Sequence, residues 1–221
     1  MKMKYITLIA AIGLLFTGCE YDNYDEPNAT LSGRVVYNGN PVGVRIDGAR
    51  LELWQDGYAD KKKIDVYIGQ DGHYSAALFN GQYKLVRVAG APWEAQSSDT
   101  TVIDVKGQTV RDIEVKPFMV INNESFRKSG SNVEASFTVD RVVDAAKLEE
   151  VKLYFSKNML LDNNNNDGAV SIDISSIVLG SGTTFTAQVP ASLASRDVFV
   201  KLGVRSDKSN EFYYTQVQKL Q

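Results

Sequence analysis

The chain has 221 residues, 43% of them hydrophobic, and a formal net charge of −3 at neutral pH. That apolar share is enough to bury a core, and the mild acidic excess excludes nucleic acid as a partner, which needs a basic stripe. A single cysteine excludes an internal disulfide and a thiolate zinc cluster; no metal and no cofactor is expected.

The chain begins with Lys2 and Lys4, continues through an apolar run from Ile6 to Phe16, and ends that run with Thr17-Gly18-Cys19. A basic start, a short apolar stretch and small residues before a cut are the layout of an export signal. The run is too short to span a bilayer, which takes roughly 20 apolar residues. Cys19 after Thr17-Gly18 resembles the lipobox of bacterial lipoproteins, with Phe16 standing where that family usually carries Leu, Val or Ile. The resemblance implies that residues 1–18 are a signal peptide and that Cys19 is the lipidation site, its thiol acylated. Several acyl chains on one residue give lasting membrane attachment, since two anchoring signals already suffice.

Residues 19–28 follow as an acidic tether, with Glu20, Asp22, Asp25 and Glu26 and no base. Such a stretch stays solvated. Acids directly after the lipidated cysteine resemble the surface-export signal of Bacteroidetes lipoproteins. That implies an outer-membrane protein facing the cell exterior.

From residue 29 to 120 the chain reads as a β-sandwich. Leu31 to Tyr37 precedes the turn Asn38-Gly39-Asn40-Pro41. Ala49, Leu51 and Leu53 alternate with Arg50, Glu52 and Trp54, the period of a half-buried strand. Further strands are expected at Ile64 to Ile68, Tyr74 to Leu78, Tyr83 to Val88, Thr101 to Val105 and Val110 to Val115, divided by Asp71-Gly72, Asn80-Gly81 and Lys106-Gly107. Arg87 is the misfit: it falls in phase with the inward Tyr83 and Leu85, so either the strand leaves the core there or a bulge shifts the phase. The ordered set Gly33-x-Val35, Gly39-x-Pro41, Ala49-x-Leu51-x-Leu53, Asp71-Gly72-x-Tyr74 and Gly81-x-Tyr83-x-Leu85 resembles the carboxypeptidase regulatory-like, transthyretin-like sandwich. The resemblance implies a non-catalytic appendage, with its glycines at turns and Tyr74 and Tyr83 pointing inward.

Residues 121–221 read as a second sandwich of immunoglobulin or fibronectin type. Val133, Ala135, Phe137 and Val139 alternate with polar residues, as do Val151, Leu153 and Phe155. Ile172 to Ile174, Phe185 to Val189, Val198 to Val204 and Phe212 to Val217 follow, with one helical turn expected at Asp144 to Lys147. The whole is expected to be all-β: two tandem sandwiches. Two such modules behind a lipobox and an acidic tether resemble uncharacterised Bacteroidetes outer-membrane lipoproteins, similar in setting to the accessories of starch-utilisation-type glycan uptake. That implies a TonB-dependent transporter and a glycan-binding lipoprotein as partners and polysaccharide as a ligand; fold alone assigns no function.

No catalytic residues emerge. His73, the lone histidine, has no Gly-x-Ser-x-Gly elbow to work with and is expected to face solvent. Glu149 and Glu150 would point to opposite faces of a strand. Small sandwiches also lack the deep cleft that catalysis prefers. The stretch Asp162 to Gly168 has part of a calcium-loop spacing, but Ile174 stands where a bidentate Glu is needed, so a polar loop is expected. Asp99-Thr100-Thr101 resembles a short bacterial O-glycosylation motif, and Lys61-Lys62-Lys63 reads as a solvated loop. The ligand-binding candidates are Trp54, Trp93 and Glu94. Trp54 is out of phase with its strand's core residues, and Trp93 lies in a Gly-Ala-Pro loop. Exposed rings there could stack on sugars, with Glu94 bonding hydroxyls; otherwise each tryptophan packs under a loop or against the second module. The leading reading is a non-enzymatic accessory in glycan binding or uptake assembly. A structural or adhesive subunit, and then a small glycan-active enzyme, are the alternatives.

Overall fold

The computed structural model describes residues 25–57, 62–96, 100–194 and 196–221. Cys19, the signal segment 1–18, Lys61 and Asp99 lie outside the described residues, as does most of the tether.

Among the described residues nine strands build the first module. β1 (Ala29–Tyr37), β2 (Asn40–Pro41) and β5 (His73–Leu78) form one sheet, and β8 (Gln108–Val110) and β9 (Ile113–Glu114) join β1 in parallel. The facing sheet runs β4 (Ile64–Tyr67), β3 (Arg50–Trp54), β6 (Gly81–Arg87), β7 (Thr101–Val105). Asn38 at φ 50° and Gly39 at φ 77° close the β1–β2 hairpin, the paired positive φ that a two-residue turn needs to match strand twist. Leu31, Val35, Leu51, Leu53, Tyr83 and Leu85 fill the space between the sheets. Tyr74 and Tyr83 are both buried, as the alternation requires.

The second module opens with β10 (Met119–Ser129), which pairs with β11 (Asn132–Arg141) and through it β14 (Gly182–Gln188). Against it packs a sheet of β13 (Gly168–Ile172), β12 (Leu148–Ser156) and β15 (Val198–Ser206), with β16 (Tyr213–Tyr214) and β17 (Gln218–Leu220) both on β15. β10 escapes the alternation pattern: its middle reads Asn-Asn-Glu-Ser, and the register shifts between Asn122 and Ser125. Residues 144–145 form a plain turn where a helical turn through Lys147 was expected, while single 3-10 turns fall at Ile174–Ser176 and Ala191–Leu193. Among the described residues no helix is long and apolar enough to cross a membrane.

The modules share one apolar cluster that runs from Leu31 and Val44 through Trp93 to Ile121, Leu202 and Tyr213. Gly43 pairs with Tyr214 as an isolated bridge, and the Tyr214 amide donates to the Gly43 carbonyl at 3.0 Å. The Ile46 amide donates to Asp162 Oδ2 at 3.2 Å.

Candidate functional site

The three ligand-binding candidates lie in three different settings. Trp93 is only 2% exposed and belongs to the shared core. Its backbone pairs with Pro117, beside a Glu94 amide bond to the Lys116 carbonyl and a Phe118 amide bond to the Pro92 carbonyl. The Gly-Ala-Pro loop is thus stitched to the inter-module linker, and the ring is buried beneath it. No face is open for a sugar, so Trp93 is corrected from ligand platform to core residue. Its Nε1 is buried and, among the described residues, has no hydrogen-bond partner.

Trp54 stands on the outward face of its sheet, opposite to Leu51 and Leu53, and pairs across with Lys84. Its Nε1 donates to Glu52 Oε2 at 3.3 Å, and Lys63 holds the other carboxylate oxygen at 2.7 Å. The ring is half-buried among the charged side chains of Glu52, Lys63 and Lys84.

Glu94 lies on the rim of an open cleft of about 470 Å³ lined by Tyr37, Arg87, Glu94, Glu114 and Lys116. Arg87 is the residue whose phase was wrong for the core. The β3–β6 register is regular through Leu51 and Arg87, and β6 ends there. The strand therefore leaves the core with no bulge, and the guanidinium turns into the cleft. Arg87 Nη1 donates to the Glu114 carbonyl at 3.0 Å, while its Nε is buried without a partner among the described residues. Glu114 Oε1 accepts the Asn38 amide of the hairpin turn at 2.9 Å, and Lys116 Nζ lies 3.3 Å from Glu94 Oε2. Two cations, two carboxylates and one phenol thus border one opening. This set can hydrogen-bond hydroxyls from several sides, and the Tyr37 ring supplies an apolar surface.

Elsewhere the polar candidates are committed to structure. His73 is exposed, with Nδ1 3.1 Å from Asp71 Oδ2. Glu149 and Glu150 do not part to opposite faces as expected: both pair with Arg205. The register shift between Leu148 and Glu150 explains it, because a bulge turns neighbouring side chains toward one side. Burial acts to raise the Glu150 carboxyl, but hydrogen bonds from Lys152 and Arg205 outweigh it and hold the group below its ordinary value. In the 162–168 loop, Asp162 Oδ1 accepts the amides of Asn164 and Asn165, at 2.8 and 3.1 Å. The Lys157 amide and the Ser156 hydroxyl hold Asp167 below the usual carboxylate range. Protein donors thus occupy the oxygens that a calcium ion would need, and among the described residues no group of three metal-binding side chains gathers.

Residues 29–116 match the family described as "Protein of unknown function (DUF3823) N-terminal domain", and residues 119–219 match "Domain of unknown function (DUF3823_C)". A DUF3823 family protein from Bacteroides ovatus is 41% identical, with a TM-score of 0.83 over 87% of this chain and 98% of its own. The chain belongs to the DUF3823 family. A second DUF3823 protein, from Parabacteroides merdae, is 32% identical with a TM-score of 0.80, over 89% of this chain and 100% of its own. A Bacteroides uniformis protein described as a candidate carbohydrate binding protein shares the fold at 19% identity, with a TM-score of 0.72 over 88% of this chain and 99% of its own. None of the curated proteins matches the chain. The DUF3823 pair of domains thus covers both sandwiches.

Proposed function

We propose that this DUF3823 protein is a lipid-anchored outer-membrane protein, facing the cell exterior, that binds glycan without cleaving it. Its partners are a TonB-dependent transporter and a glycan-binding lipoprotein. The observation that carries the reading is the convergence of Arg87, Glu94, Glu114 and Lys116 on one open cleft beside Tyr37. The lipobox at Cys19 and the acids after it support the address. The Bacteroides uniformis protein of the same fold supports carbohydrate as the ligand class. Binding rather than hydrolysis is favoured because Glu94 is paired with Lys116, and Glu149 and Glu150 share one arginine.

Residues 20–221, screened against immobilised polysaccharides, are expected to be retained by at least one, and Arg87→Met with Glu94→Gln should weaken retention. No retention on any polysaccharide removes glycan binding. Cys19→Ala is expected to release the protein from membranes; persistence in the membrane fraction overturns the anchor. A second reading, a structural or adhesive subunit, draws on β14, an edge strand whose outer side pairs with no other strand among the described residues. Such edges accept a strand from another chain.

A further inference from the structure

A second polar cleft of about 290 Å³ lies where the modules meet, between the β1–β2 hairpin, β10 and β16. Its size is at the lower edge of small-ligand sites, roughly 300–1,000 Å³. The β10 register shift sits on its wall. Asn122 pairs with Thr138 and Ser125 with Ser136, so Asn123 and Glu124 together oppose Phe137 alone. Asn123 takes φ 56°, a left-handed conformation that a non-glycine residue adopts at a cost. Bulges of this kind re-aim side chains, and here they turn an amide and a carboxylate toward the cleft.

The polar groups of the cleft are mostly uncharged. Asn40, Asn123 and Gln216 each offer an amide donor and an amide acceptor, and Tyr213 offers a hydroxyl. Among the described residues the side chains of Asn40, Asn123, Glu124 and Tyr213 make no hydrogen bond or ion pair, whereas the neighbouring Asn122 is spent on Asp140 at 2.7 Å. Burial pushes the Tyr213 phenol up to about 12, with Glu124 adding to the rise, so the hydroxyl is a neutral donor at physiological pH. Pro41 and Ile121 supply an apolar wall. No lysine, arginine or histidine lines the cleft among the described residues, which sets it apart from the Arg87 cleft and disfavours an anion. Unpaired amides and a lone carboxylate beside an apolar wall suit groups that both donate and accept, in pairs, on a compact ring.

We propose that the inter-module cleft binds a neutral sugar unit through Asn123, Glu124 and Tyr213, as a glycan contact separate from the Arg87 cleft. The inference rests on the glycan-binding reading above. Because both modules wall the cleft, the site exists only when they are packed together.

The test uses residues 20–221 and titration calorimetry with neutral gluco-, xylo- and manno-oligosaccharides. Asn123→Gly keeps the left-handed backbone while deleting the amide, and Tyr213→Phe deletes only the hydroxyl, so neither variant threatens the fold. Arg87→Met serves as the comparison in the other cleft. The expected result is at least tenfold weaker binding of a neutral oligosaccharide by Asn123→Gly and by Tyr213→Phe, with unchanged thermal melting. Binding that survives both variants but is lost in Arg87→Met overturns this site and leaves the glycan reading standing. Absence of binding by the unaltered chain overturns both.

Discussion

Arg45 and Glu211 lie 166 positions apart and meet in a two-pronged ion pair between the modules, with Arg45 Nε 3.0 Å and Nη2 2.6 Å from the two carboxylate oxygens. The hydrogen bond to Glu211 raises the already high affinity of the guanidinium for its proton. Parallel N–H bonds of this kind fix orientation as well as adding energy. With the Gly43–Tyr214 bridge and the Ile46–Asp162 bond, the pair holds the first module to β16 and to the 162–168 loop. The inter-module cleft depends on that attachment.

The pair should couple measurably. Its side chains are 24% and 20% exposed, so solvent screens them in part, and exposed pairs contribute only about 0.2–1 kcal/mol. A double-mutant cycle with Arg45→Ala and Glu211→Ala, read by urea unfolding, is expected to give a coupling of about 1 kcal/mol. Additive single effects would show that the pair aligns the modules without stabilising them.

Trp93 gives a sharper contrast. Trp93→Ala should destabilise the protein by about 3–5 kcal/mol, the range for deleting a large core ring. Trp93→Phe should be far milder, because it also removes a buried N–H with no partner, a group that is costly to leave unmade. Chemical denaturation of the two variants decides it. Equal losses would mean that the indole nitrogen is satisfied in solution.

Most of the fold was legible where side-chain period and turn chemistry agree. Asn38-Gly39 announced its hairpin, Trp54 was already out of phase with its strand's core residues, and Arg87 was already a charge in phase with the inward Tyr83 and Leu85. Arg87 was also the clue to the cleft, since a charge at the end of an inward row must go somewhere polar. Glu94 could be named from its loop, but Tyr37, Glu114 and Lys116 come from strands and linkers that only the tertiary fold brings together. β10 was missed because its bulge carries two residues opposite one, which destroys the alternation that marks a strand. Trp93 stayed open between a sugar platform and a packed ring because a loop composition says nothing about what the loop is stitched to. Lys201 sits at a position that alternation assigns to solvent, yet it is fully buried. The reason is long-range: Tyr154, Leu161, Phe212 and Tyr214 form a second apolar cluster, and Lys201 Nζ lies 4.4 Å from the Tyr214 ring centroid.

Gly33 carries a prediction that its motif alone would misstate. It needs no positive φ; it needs the absence of a side chain. A Cβ there would overlap the Arg111 carbonyl, which also accepts the Tyr74 hydroxyl at 2.5 Å. Gly33→Ala should therefore destabilise by about 1–3 kcal/mol through overpacking. Tyr74→Phe, which loses only the hydrogen bond, should destabilise by about 1 kcal/mol. Thermal melting of both variants checks the order, and a tolerated Gly33→Ala would mean that the β1–Arg111 contact yields.

Lys201 predicts an alkaline rise in stability. Burial pushes its ammonium down to about 8, against about 10.4 in an unfolded chain. Its contacts are a 3.4 Å bond to the Leu161 carbonyl and the Tyr214 ring, with Asp162 and Asp71 opposing the shift at longer range. The folded state therefore disfavours the charged form. Between about pH 8 and pH 10 the unfolded chain holds the proton and the folded chain loses it, so stability increases with pH. The full difference corresponds to about 3 kcal/mol. Above about pH 10 the sign reverses. Burial raises the Tyr74 and Tyr213 phenols to about 12 and the Tyr214 phenol higher still, so the unfolded chain ionises first and is favoured. The urea midpoint should thus peak near pH 10, and Lys201→Met should be more stable at pH 7 and lose the rise between pH 8 and pH 10. A midpoint that falls steadily from pH 7 upward in the unaltered chain would show that water or an ion reaches the Lys201 ammonium and keeps it charged.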